Sequence, residues 1–153
     1  MLSAIPKMLE LLSRETKAHM NKFYVLIGSN IDPHNNINLC LEKIAAYSDL
    51  EQIQLSSFYE SEAFGMEGDN FINAVIYLKS KKNHKEILSL LKQIEHECGR
   101  VRDPNNKFTP RTIDLDIIDW NGFTGMLDDK QYPDPEIQQR DFIKIPYLEL
   151  KAT

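Results

Sequence analysis

An arginine and two aspartates alternate with apolar residues in Pro110-Arg111-Thr112-Ile113-Asp114-Leu115-Asp116-Ile117-Ile118. In a strand, side chains at i and i+2 leave from the same face. The segment therefore predicts Asp114 and Asp116 side by side, with Ile113, Leu115 and Ile117 turned into a core. Two adjacent carboxylates repel, and without a cation one of them takes up a proton more readily. A hard divalent ion with oxygen ligands, such as Mg²⁺, is the commonest remedy. Arg111 lies within reach of whatever the metal holds, and a guanidinium beside a carboxylate-bound Mg²⁺ suits a polyphosphate chain. Taken alone, the pair is equally well the wet face of a half-buried strand, with Arg111 as a nearby counter-charge.

The elements that must position this strand follow from apolar spacing. Phe23-Tyr24-Val25-Leu26-Ile27 predicts a first strand, followed by Gly28-Ser29-Asn30, a turn at Pro33, and a helix with Ile37, Cys40, Leu41 and Ile44 on its apolar face. Residues 53 to 60 and 71 to 79 predict two strands, joined by a loop from Ser61 to Asn70 that is longer than hairpin closure needs. A second helix is expected over residues 84 to 98, with Ile87, Leu90, Leu91 and Ile94 inward and Gly99 as its C-terminal cap. Arg100 and Arg102 follow at once, and the turn-rich stretch 103 to 109 leads into the acidic strand. Residues 4 to 19 carry Ile5, Met8, Leu9 and Leu12 at helical spacing, so residues 1–20 read as an N-terminal helical extension to a domain spanning 21–153. This order suits an α+β ferredoxin-like sandwich, a mostly antiparallel sheet with helices packed on it.

A chain of 153 residues with a net charge of −5 forms one domain and offers no basic footprint for nucleic acid. No apolar run approaches the ~20 residues of a membrane span, so no membrane partner is expected. Cys40 and Cys98 fall on apolar helix positions and read as buried reduced thiols, which suits a cytoplasmic protein. His19, His34, His84 and His96 show no zinc-site spacing and read as surface or helix-flank residues. Neither G-x-x-x-x-G-K-[ST] nor G-x-G-x-x-G is present, so a nucleotide must be held by another device.

Gly99-Arg100-Val101-Arg102 together with the Pro110 to Ile118 block resembles the 6-hydroxymethyl-7,8-dihydropterin pyrophosphokinases of folate biosynthesis. Ile27-Gly28-Ser29-Asn30, Ser56-Ser57-Phe58-Tyr59 and Phe71-Ile72-Asn73-Ala74-Val75 agree in order, and the resemblance runs from about residue 23 to 150. It implies transfer of the β,γ-pyrophosphoryl unit of ATP to the hydroxymethyl group of a reduced pterin, giving AMP and the pterin pyrophosphate. By the same resemblance, Asp114 and Asp116 bind two Mg²⁺ ions, and Asp116 could also accept the hydroxyl proton. Arg100 and Arg111 match catalytic, triphosphate-contacting arginines, with Arg102 less direct. Lys92 and Glu95 correspond to nucleotide contacts, the Ile117 backbone to adenine recognition, and Arg140 to a further ATP contact. For Glu95 the alternative is a solvated helix pair with Lys92. For the pterin, the resemblance implies Asn73 reading the ring edge, Phe71 and Phe142 stacking on it, Ser61, Glu62 and Phe64 from the first loop, and Phe108 from the second.

The pattern departs at Pro133-Asp134, where the family carries Pro-His; an aspartate there adds negative charge beside the polyphosphate. Ser61 and Glu62 also differ from the common Thr-Pro. Asp134 keeps open an attenuated or non-catalytic nucleotide- and pterin-binding homologue acting as a scaffold or regulatory partner. A monomer is expected, with residues 4 to 19 open to docking a neighbouring folate-pathway enzyme.

Overall fold

The computed structural model describes residues 19–62, 69–100, 105 and 112–152. A central antiparallel sheet has the order β2-β4-β1-β5, from β1 (Asn21–Ser29), β2 (Glu51–Leu55), β4 (Phe71–Ser80) and β5 (Asp114–Trp120), and β3 (Tyr59–Ser61) also pairs with β4. Helices α1 (Pro33–Ala46) and α2 (His84–Glu97) pack on one face, so the ferredoxin-like plan expected from the sequence is the one observed. Phe23, Val25 and Ile27 of β1 meet Ile37, Cys40 and Ile44 of α1 and Ile87, Leu91 and Ile94 of α2, nearly all of them fully buried. Each such Ile or Phe contributes about 1.5–3 kcal/mol on burial. Both cysteines are free and buried, as expected. Among the described residues, no helix is long and apolar enough to cross a membrane. Of the expected extension over residues 1–20, only His19 and Met20 are described.

The structure corrects the sequence reading in several places. The strand expected over residues 53 to 60 is two strands. Ser56 stays bonded to Val75, its N–H donating to the Val75 carbonyl and its Oγ accepting from the Val75 N–H. Ser57 is drawn away, its N–H and hydroxyl both donating to Glu149. Glu149 belongs to α3 (Asp141–Lys151), a third helix that apolar spacing alone did not suggest because Pro146 sits inside it. Proline removes one helical hydrogen bond, but here Ile143, Pro146 and Leu150 form the buried stripe that covers the opposite sheet face. Between β5 and α3 come a hairpin, β6 (Gly125–Leu127) and β7 (Lys130–Tyr132), and a 3-10 turn, Pro135–Gln138. His84 is no surface histidine: it is 4% exposed and bonded on both ring nitrogens.

A bulge in β5 sets the far wall of the site. Val25 pairs with Ile117 and Tyr24 with Asp119, leaving Ile118 as the extra residue. Such insertions bend a strand and re-aim its side chains. Ile118 joins the core beneath α3, Asp119 reaches the Tyr147 hydroxyl at 2.5 Å, and Trp120 returns to the other face to stack on Phe23. The Ile118 carbonyl accepts the Asp134 N–H at 2.9 Å, which ties the chain after the hairpin back to the acidic strand.

Candidate active site

Register across β4, β1 and β5 builds the floor of a cavity of about 490 Å³. Gly28 pairs with Asn73 on one side and Asp114 on the other, and Leu26 pairs with Val75 and Asp116. Paired residues share a face and alternate ones repeat it. Asn73, Gly28 and Asp114 therefore form one row across the sheet, with Asp116 in the next row on the same face. The expected alternation holds: Leu115 and Ile117 point into the opposite core while both aspartates line the cavity. Glycine in the middle of the row keeps the floor open. A Cβ there would stand 3.3 Å from Asn73 Oδ1 and 3.5 Å from the Phe71 ring.

One end of the cavity is shaped for a flat, partly polar group. Asn73 is buried, and its amide N–H₂ donates to Ser61 Oγ at 2.7 Å and to the Tyr59 carbonyl at 3.2 Å. The donors expected to read a ligand are thus turned to β3, and the acceptor Oδ1 faces the Gly28 row. Phe71, Ser61 and Glu62 complete this end, and Phe142 also lines the cavity.

The other end is charged. Helix α2 begins with a reciprocal cap, the Asn83 side chain accepting from the Glu86 N–H and the Glu86 carboxylate from the Asn83 N–H. It ends at Gly99, whose φ of +82° supplies the left-handed cap foreseen for it; the Arg100 N–H turns back to the Glu95 carbonyl at 3.1 Å. This reversal brings the Arg100 guanidinium to Glu95 at 2.6 Å and Asp114 at 2.8 Å, and only 9% of that side chain is exposed. Glu95 is not a solvated partner of Lys92: it is buried, and its Oε2 also accepts the Leu115 N–H at 2.9 Å. That bond shows that the Leu115 backbone faces away from the sheet at its β5 edge, and Ile117, two residues on, presents its backbone to the same side. Lys92 is exposed at the rim, and Arg140 lines the cavity from the N-terminal side of α3, 3.9 Å from Glu136.

Two groups here were not foreseen. Lys130 Nζ lies 2.5 Å from Asp116 Oδ1, and Glu136 joins the lining. No spacing rule points to Lys130, because its approach to Asp116 depends on how the hairpin folds back. Burial pushes the Asp116 carboxyl up to about 6, Lys130 pulls against that, and the charges of Asp134 and Asp114 add to the rise. Asp134 itself caps the 3-10 turn, accepting the Glu136 N–H at 2.9 Å. Phe64, Arg102, Phe108 and Arg111 lie outside the described residues. No group of three or more His, Cys, Asp or Glu able to hold a metal occurs among the described residues.

A ferredoxin-like sheet carrying a carboxylate pair, an arginine locked against it and an aromatic-lined polar cleft defines a phosphoryl-transfer protein without a glycine-rich phosphate loop. The family model for 7,8-dihydro-6-hydroxymethylpterin-pyrophosphokinase (HPPK) matches residues 24–152. The chain belongs to this family, and with it to the pyrophosphokinases of folate synthesis. It is 33% identical over 127 residues to the 2-amino-4-hydroxy-6-hydroxymethyldihydropteridine pyrophosphokinase of Porphyromonas gingivalis, covering 80% of this chain and 86% of that protein. With the enzyme of the same name from Aquifex aeolicus it shares 34% over 134 residues, 86% of this chain and 81% of the relative. It also matches folic acid synthesis protein FOL1 of Dictyostelium discoideum, 34% identical over 144 residues; the match takes 90% of this chain but spans only 21% of that protein.

Proposed function

We propose that the chain transfers the β,γ-pyrophosphoryl unit of ATP to the hydroxymethyl group of 6-hydroxymethyl-7,8-dihydropterin, releasing AMP, and that it does so with Mg²⁺. The observation that carries this reading is the single row Asn73, Gly28, Asp114, which sets a ring-sized polar cleft directly beside the acidic pair. The donor set fits Mg²⁺: two carboxylates with hard oxygens, and no larger His, Cys, Asp or Glu cluster among the described residues, suit an ion that keeps waters and takes its remaining ligands from substrate phosphates. Asp114 and Asp116 would hold two such ions, which when bound neutralise triphosphate charge and orient its oxygens.

The chain's own groups divide the remaining work. Asn73 Oδ1 accepts from the pterin edge, and Phe71 and Phe142 pack on the ring faces, with Ser61 and Glu62 closing the side. Outward-facing backbone at Ile117 takes adenine at the β5 edge, which no neighbouring strand covers among the described residues. Lys92 and Arg140 attract the phosphates from the rim, and Arg111 from outside the described residues. Arg100, pinned between Glu95 and Asp114, contributes a fixed positive field that needs no reorganisation as charge builds on the transferring group. Asp116 receives the hydroxymethyl proton at its carboxylate. Buried free thiols at Cys40 and Cys98 suit the reducing cytoplasm, where we place the reaction. The test is product identity. ATP, Mg²⁺ and the pterin together should yield AMP, with none formed when pterin or Mg²⁺ is omitted; ADP as the product overturns the assignment.

A further inference from the structure

Lys130 stands outside the set of site residues that the family resemblance implies, and the fold builds its position from both sides. It opens β7 directly after Asp128 and Asp129, whose φ values of +47° and +65° form the tight turn that pairs Lys130 with Leu127. The first residue of α2 then fixes the hairpin. A carboxylate can only accept, so His84 donates from Nδ1 to Asp128 at 2.8 Å, and its Nε2 is hydrogen-bonded to the Tyr132 hydroxyl at 2.6 Å. Burial and the nearby carboxylates push the Tyr132 phenol upward, which keeps its hydroxyl proton in place for that bond. With residues 128 and 132 both held, the Lys130 stem passes over the Tyr132 ring, Nζ 5.7 Å from its centroid, and ends on Asp116.

The two acidic residues consequently carry different counter-ions. Arg100 on Asp114 is locked, 9% exposed and shared with buried Glu95. Lys130 on Asp116 is open to water, with the two side chains 27% and 39% exposed. An ammonium on a flexible stem is readily displaced by a divalent ion and is then available to a new anion.

We propose that Lys130 is a displaceable counter-ion that couples metal loading to nucleotide. It neutralises Asp116 in the empty site, opposes binding of bare Mg²⁺ there, and transfers to the polyphosphate when Mg²⁺ arrives with ATP. It also offsets the negative charge that Asp134 brings to this end of the site. The inference rests on reading Asp116 as a metal ligand.

The experiment is calorimetric titration of the full chain with MgCl₂ alone, and with Mg²⁺ plus the α,β-methylene analogue of ATP, whose bridge cannot be broken by pyrophosphoryl transfer. Wild type is compared with Lys130→Met, Lys130→Gln and Asp116→Asn. A half-exposed pair is worth up to about 1 kcal/mol, or about fivefold in affinity. Both Lys130 variants should bind Mg²⁺ alone about fivefold more tightly and the Mg²⁺–nucleotide about fivefold more weakly. That opposite-sign split is not what a merely structural lysine produces. Two outcomes overturn the proposal: both affinities moving in the same direction, or neither moving. The Gln variant supplies the answer if Met impairs folding. Mg²⁺ affinity unchanged in Asp116→Asn would overturn the metal reading itself, whereas loss in Asp116→Asn with no split at Lys130 overturns the lysine proposal alone.

Discussion

Replacing Asp116 with asparagine should stabilise the metal-free protein while removing its activity. The carboxyl is pushed from 3.8 to about 6, first by burial and then by Asp134 and Asp114, even with Lys130 opposing the rise. Because Lys130's attraction is already included in that value, a neutral amide of the same shape approximates the protonated side chain. A fully sealed site would convert the shift into about 3 kcal/mol. With 39% of the side chain exposed, solvent screening reduces this to about 1 kcal/mol. For a group raised in the folded state, the folded protein binds more protons than the unfolded chain between the two values. The penalty is therefore absent below about pH 4, grows as pH rises toward 6, and is constant above it. Urea and thermal unfolding in EDTA from pH 4 to 8 should show the Asp116→Asn gain appearing across that window. At pH 7.5 the gain should reach about 1 kcal/mol, or a Tm rise of about 3 °C. An asparagine variant less stable than wild type at pH 7.5, or a difference that ignores pH, would refute the reasoning. The expected result is a site held in a strained charge state because its chemistry requires it.

Gly28→Ala should place a methyl 3.3 Å from Asn73 Oδ1, weakening pterin binding about tenfold by crowding, with nucleotide affinity unchanged in a direct titration. Stability should hold within about 1 kcal/mol, because alanine is the better strand residue. Asn73→Ala removes the acceptor in the same row and leaves the Ser61 hydroxyl unpartnered by the amide; pterin KM should rise about a hundredfold, with the Kd for nucleotide unmoved. Glu95→Ala strips Arg100 and the Leu115 N–H of a shared buried acceptor and should cost about 3 kcal/mol in urea unfolding; a loss under ~1 kcal/mol would contradict the locked role given to Arg100.

What was legible in the sequence had local causes. Alternation around Asp114 and Asp116 set the strand's faces, and Gly99 marked the end of α2 because only a left-handed residue caps it there. The apolar stripes of both early helices lie where their spacing put them. What escaped depends on distant partners. Ser57 leaves the sheet for Glu149, 92 residues away, and that helix forms across Pro146 because the sheet face needs covering. His84 looked like a helix-flank residue until the hairpin brought Asp128 and Tyr132 to its two nitrogens. Lys130 was invisible for the same reason: its closeness to Asp116 is a product of the turn, the histidine clamp and the bulge at Ile118 together. At the Asp134 departure the fold shows a local role that the sequence pattern did not suggest, the side chain capping the 3-10 turn through the Glu136 N–H.

The central claim is the transfer of a pyrophosphoryl unit at the Asp114 and Asp116 pair. ATP labelled at the β-phosphorus tests it directly when incubated with Mg²⁺ and 6-hydroxymethyl-7,8-dihydropterin. The label should move wholly into the pterin product and leave unlabelled AMP, and the transfer should vanish in Asp116→Asn. Label retained in ADP, or transfer that survives the loss of Asp116, would contradict the account.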